Sequence, residues 1–221
     1  MDEDSQFDGT RISSLSPRDN FIRELEQRLL DGCSVTFTIS HDEQPDTAQR
    51  VLRRLREHGW YTAYVDLQTV SSVERLVLTV VQAYIQLRTG DMELPASSLD
   101  AFLGDLSRVE VHDKIEDILD LDHLTRIKES AFELLDEVID LGQRIGETDH
   151  RRLVVWFDEW QEIARMKDGD LLLKRLRGMF QLQTHVTYAF TGSRDPDLLK
   201  TLFADRHQPL YRFAVRVDLN E

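Results

Sequence analysis

Two adjacent carboxylates, Asp158 and Glu159, stand near the end of the stretch Arg151 to Glu162, RRLVVWFDEWQE. Five consecutive apolar residues, Leu153 to Phe157, run straight into them. A run this short, rich in valine and aromatics, suits a strand buried on both faces of a parallel sheet. An open α/β sheet places its ligands at the C-terminal ends of such strands. There the first acid, Asp158, can hold a divalent cation and the second, Glu159, can polarise an attacking water. The same pair also reads as an acidic cap on the helix that follows a core strand.

Other residue types offer less. The histidines at 41, 58, 112, 123, 150, 185 and 207 show no ligand spacing, and neither a zinc pattern nor a nucleophile elbow is present. Cys33 is the only cysteine, which rules out an internal disulfide and fits a reducing cytoplasm. It reads as a buried thiol at a strand edge. Asp42, Glu43, Asp46, Asp158 and Glu159 together form a candidate cation cluster if one end of the sheet gathers them.

The elements that must position these groups follow from periodicity. Residues 1–16 read as a polar tail, and 17–221 as one domain. Phe21, Ile22, Leu25, Leu29 and Leu30 recur at helical spacing after Pro17. Ser34–Ile39 reads as a strand, Pro45–His58 as a helix with an arginine-rich outer face (Arg50, Arg53, Arg54, Arg56), and Trp60–Leu67 as the next strand. A helix capped by Ser71 or Ser72, with Glu74 completing a capping box, carries Val73 to Leu87. Residues 90–149 read as an acidic helical insertion, with one helix around Ile115 to Leu119 and another over Ile127–Ile145. Leu171–Phe180 then reads as a helix with Lys174, Arg175 and Arg177 outward. His185–Thr191 reads as a strand ending in Gly192-Ser193, a short helix runs to Leu202, and Tyr211–Leu219 reads as a last strand. Strands alternating with helices predict an α/β three-layer sandwich with a five-stranded, mostly parallel sheet.

Composition bounds the function. With 27 Lys and Arg against 41 Asp and Glu the net charge is −14, which opposes a large nucleic-acid footprint. No apolar run approaches the ~20 residues of a membrane span, and the acidic N-terminus is no signal peptide. Both point to an acidic cytoplasmic protein.

The order of these pieces resembles a known family. YVDL, LVVWFDEWQEI, VTYAFTGS and LFADRHQPLYRF are similar to the archaeal-type ATPases of the AAA+/STAND group of P-loop NTPases. The resemblance covers most of residues 17–219 and is weakest across 90–149. It implies that Asp158 is the Mg²⁺-associated Walker B acid and Glu159 the water-polarising acid. It also implies that Ser193 ends the sensor strand and that Arg206 lies near an arginine finger.

The family's phosphate loop, approximately G-P-R-G-S-G-K-T, falls on Ile39, Ser40, His41, Asp42, Glu43, Gln44, Pro45 and Asp46. No glycine survives there to bring backbone N–H groups against phosphates. Proline at the lysine position supplies neither charge nor N–H. Three acids add repulsion, roughly 4 kcal/mol for like charges about 4 Å apart at an effective dielectric near 20. The family's usual helical lid after the last strand has no counterpart in these residues. The expectation is a pseudo-ATPase that binds no MgATP and works through another protein, such as an active ATPase relative or a mobile-element or defence component. The alternative is an ATP- and Mg-using enzyme that borrows residues from a partner.

Overall fold

The computed structural model describes residues 16–40, 42–89 and 131–219. The tail (residues 1–15), the helix expected around Ile115 and the stretch 127–130 lie outside the described residues. The chain runs α1 (Pro17–Leu30), β1 (Val35–Phe37), α2 (Gln44–Glu57), β2 (Tyr61–Asp66) and α3 (Val73–Thr89). After residue 130 come α4 (Ala131–Asp149), β3 (Leu153–Asp158), α5 (Gln161–Arg165), α6 (Gly169–Phe180), β4 (Val186–Thr191), α7 (Pro196–Ala204) and β5 (Val215–Arg216).

The five strands form one sheet in the order β2-β3-β4-β1-β5, and every pair is parallel. Strand alternation sorts side chains into two cores. Val154 and Trp156 point to one face with Val35, Phe37 and Ala189, where α1 and α2 cover them with Phe21, Ile22, Leu25, Val51 and Leu55. Leu153, Val155 and Phe157 point to the other face, under α3, α4, α6 and α7. An aromatic cluster fills that side, with Phe157, Trp160, Phe180, Tyr188 and Phe190 joined through a chain of ring contacts. β3 and β4 are buried along their whole length, as the unbroken apolar run requires.

Several sequence expectations change. The last strand is two residues, not nine, because Gln208 to Phe213 fold into turns closed by Tyr211 N–H to Gln208 O and Phe213 N–H to Leu210 O. Cys33 is exposed, since the turn at Gly32 (φ 79°) lies ahead of the first core residue of β1. Of the two candidate caps, Ser72 caps α3 through the Arg75 N–H at 3.3 Å, and its side chain also bonds the Glu74 carboxylate. The arginine face of α2 is only partly left to solvent: Arg50 meets Asp19 at 2.6 Å and Arg54 meets Glu26 at 3.0 Å, tying α2 to α1, while Arg53 and Arg56 stay exposed. Arg175 turns inward to Asp136 on α4, and Arg177 lies over the Phe213 ring.

Candidate functional site

A parallel sheet brings all its C-terminal ends to one edge, and the candidate residues meet there. Asp66 of β2 pairs in register with Asp158 of β3, and Phe37 of β1 pairs with Thr191 of β4. Asp158 therefore looks across two neighbouring strands. Its carboxylate accepts a hydrogen bond from the Tyr64 hydroxyl, one strand away, and from Thr191 Oγ1 at 2.8 Å on the other side. Burial pushes the Asp158 carboxyl up, and the Glu159 charge adds to this. The Tyr64 and Thr191 hydrogen bonds pull the other way without cancelling it. The same burial, with the facing Asp158, drives the Tyr64 hydroxyl far above its ordinary value.

Glu159 sits with φ 54°, a left-handed conformation that costs a non-glycine residue about 1 kcal/mol. That turn aims its side chain toward the loop after β4. It is 3% exposed. Its carboxylate accepts from Ser193 Oγ at 2.5 Å, from Gln161 Nε2, and from the backbone N–H groups of Ser193 and Arg194 at 3.3 Å. Burial alone would raise the Glu159 carboxyl, but these four donors outweigh it and hold the group below its ordinary value. Glu159 is thus an ionised acid whose oxygens are already engaged. Glycine at 192 leaves room for the Gln161 side chain, since a Cβ there would meet Gln161 Oε1.

The loop between β1 and α2 closes from the opposite side. The N–H groups of Glu43 and Gln44 both donate to the Ser40 carbonyl, at 3.1 and 3.2 Å. Gln44 opens α2 and is 2% exposed. Its Nε2 donates to Thr191 Oγ1 at 3.0 Å, while its Oε1 is buried without a partner. Thr191 Oγ1 also accepts from Trp156 Nε1 at 3.3 Å. One hydroxyl therefore joins the head of α2, the core indole and Asp158. On the outer side of the loop, Arg18 of α1 reaches Asp46 at 2.9 Å and Glu43 at 3.4 Å. Ser40 Oγ donates to Glu43 at 2.7 Å. Positive φ occurs at none of the described loop residues.

The structure thus brings Asp158, Glu159, Ser193 and Gln44 to one sheet edge. Ile39, Ser40, Asp42, Glu43, Pro45 and Asp46 lie in the loop and first helical turn beside it, and His41 lies outside the described residues. Four of the five acids turn to separate partners: Glu43 and Asp46 to Arg18, Asp158 to Tyr64 and Thr191, Glu159 to Ser193. Among the described residues no group of three His, Cys, Asp or Glu could hold a metal ion. Arg206 is exposed in the turn after α7 and is not among the hydrogen-bond partners of Asp158 or Glu159. Sequence reasoning passed over Tyr64, Thr191 and Arg18. The available signal was a polar residue closing each apolar strand, in YVD and AFT.

Solved structures share this fold. A Walker-type ATPase of Pyrococcus abyssi superposes with a TM-score of 0.53 at 20% identity, covering 91% of this chain and 53% of that one. Cdc6p from Pyrobaculum aerophilum gives 0.52 at 10% identity, covering 93% and 46%. The Orc1 protein of Aeropyrum pernix, solved in complex with DNA, gives 0.50 at 14% identity, covering 92% and 46%. The fold is that of P-loop NTPases of the AAA+ type. The chain spans about half the length of these structures. No family model matches it, nor does any curated protein.

Proposed function

We propose that this chain is an ATPase-like domain with a dismantled phosphate loop that acts as a non-hydrolysing protein-interaction or regulatory module. The observation that carries the reading is the Gln44 side chain. Buried at the head of α2 and bonded to Thr191, it ties the loop onto the strand ends that a triphosphate and its metal would approach. The rest of the loop agrees. The N–H groups of Glu43 and Gln44 serve Ser40, Pro45 has none, and the nearby cation Arg18 is engaged by Glu43 and Asp46. These residues do not fit MgATP.

Titration calorimetry with MgATP should give no binding heat, and micromolar binding would overturn the reading. A thermal-shift series with ATP, ADP and Mg²⁺ checks it independently. A ligand at 100 times its dissociation constant adds about 2.7 kcal/mol to folding.

A second reading has one observation in its favour: Glu159 stays ionised beside Asp158. An ATP-hydrolysing enzyme completed by a partner's residues would use that pair, and Glu159→Gln would abolish its turnover. Absence of phosphate release with and without candidate partners would remove this alternative.

The partner we propose is another protein, such as an active ATPase relative or a mobile-element or defence component, in the cytoplasm. No described helix is long and apolar enough to cross a membrane. The Orc1 neighbour binds DNA in its crystal. Here Arg50, Arg54 and Arg175 are paired within the chain, to Asp19, Glu26 and Asp136, and the net charge is −14, so nucleic acid is not proposed.

A further inference from the structure

Beside β5 runs a groove that the carboxylate site does not use. Leu199, Phe203 and Ala214 form its apolar floor, Thr36 and Thr38 line its β1 side, and the exposed Lys200 and Arg216 stand at its rim. β5 ends the sheet, and among the described residues no strand lies beyond it. Val215 and Val217 donate their N–H groups to Ser34 and Thr36, toward β1. Strand alternation then turns the N–H and C=O of Arg216 to the open side. Val215 leaves its side chain exposed on the same edge.

We propose that this edge and groove receive an extended segment of a partner protein in which acidic residues alternate with apolar ones. Arg216 offers the main-chain pairing of an added strand, and the floor takes every second side chain. The charge of the occupant follows from the rim. Lys200 makes no ion pair with any described residue. Among the described residues Arg216 pairs only with Asp218, two residues away and in solvent, and such pairs exchange readily. Electrostatics reach only about 8 Å at physiological ionic strength, so these two cations outweigh the distant net charge of the chain. A second copy would set its own Arg216 against this one, which disfavours self-pairing at a short charged edge. The proposal rests on reading the chain as an interaction module.

The test is selection from a random library of linear twelve-residue peptides on the immobilised full chain, with and without MgATP. Selected peptides should alternate Asp or Glu with Val, Ile or Leu. They should lose at least tenfold in affinity against K200E/R216E and should slow amide exchange at Arg216. Exchanging their acids for lysine should restore binding to the charge-swapped chain, which shows that the variant is folded. Several results would overturn the proposal: no selected peptide, peptides without this pattern, binding indifferent to the charge swap, or a self-dimer that the swap dissolves. Nucleotide binding in the MgATP arm would instead overturn the non-hydrolysing reading and leave the peptide result standing.

Discussion

Replacing Glu159 by Gln separates a structural acid from a vestigial catalyst. The carboxylate accepts four hydrogen bonds: two from the side chains of Ser193 and Gln161, and two from backbone N–H groups. An amide keeps one acceptor oxygen and turns an NH₂ toward donors. The Ser193 hydroxyl can rotate to accept, but a backbone N–H cannot, so one to two charge-assisted bonds are lost. At about 1.5–3 kcal/mol per bond to a charged group, the variant loses about 3 kcal/mol at pH 7. Relief of the repulsion with Asp158 returns part of this. For a domain of this size the melting temperature falls by roughly 6–12 °C.

The loss has a definite pH signature. Glu159 titrates at 4.5 in the unfolded chain and lower in the folded one. Its contribution is therefore present above 4.5 and disappears as pH falls through the folded value. Urea midpoints of wild type and Glu159→Gln should differ clearly at pH 7 and converge as pH drops below about 4.5. A gap that persists unchanged in acid, or no gap at pH 7, would refute the assignment of these four bonds.

Two further perturbations probe the same sheet edge. Gly192→Ala drives a methyl group into Gln161 Oε1, so Gln161 must swing away and release Glu159. The expected cost is about 1–3 kcal/mol in urea unfolding, and an unchanged midpoint would show that Gln161 moves freely. Arg18→Ala removes the α1 cation from Glu43 and Asp46, and amide exchange at Glu43 and Gln44 should quicken. High salt should produce part of the same effect in wild type, because the pair is half exposed and screened. Unchanged exchange would show that the Ser40 carbonyl closes the loop unaided.

The layers were legible in the sequence because they follow from local patterns. The run from Leu153 to Phe157 can only be a strand covered on both faces. The helical spacing of Phe21, Leu25 and Leu29, and of Ala48, Val51 and Leu55, assigns one covering layer without reference to anything distant. Errors fell where tertiary contacts override local pattern. Tyr211 to Leu219 alternates well enough for a strand, yet hydrogen bonds from Arg212 to Phe203 and from Phe213 to Leu210 hold its start in turns. On the arginine face of α2, Arg50 and Arg54 looked solvated because nothing local announces that Asp19 and Glu26 stand opposite.

The candidate site was legible as a place but not as a state. Asp158 and Glu159 were found because they end a strand, and strand ends are local. What those acids can do depends on their partners. The nearest donor to Asp158 outside its own strand is Tyr64, 94 residues earlier, and the next is Thr191, 33 residues later. Thr191 in turn is claimed by Gln44, 147 residues before it. Glu159 is fixed by a backbone turn with positive φ that its residue type disfavours. Here the chain bonds its own strand-end acids, through Tyr64, Thr191, Ser193 and Gln161, while Gln44 bonds Thr191. Those pairs are spread over most of the sequence. Reading the loop alone, from Ile39 to Asp46, shows that it holds no glycine or lysine but not that Gln44 bonds Thr191, which only the folded sheet brings within reach.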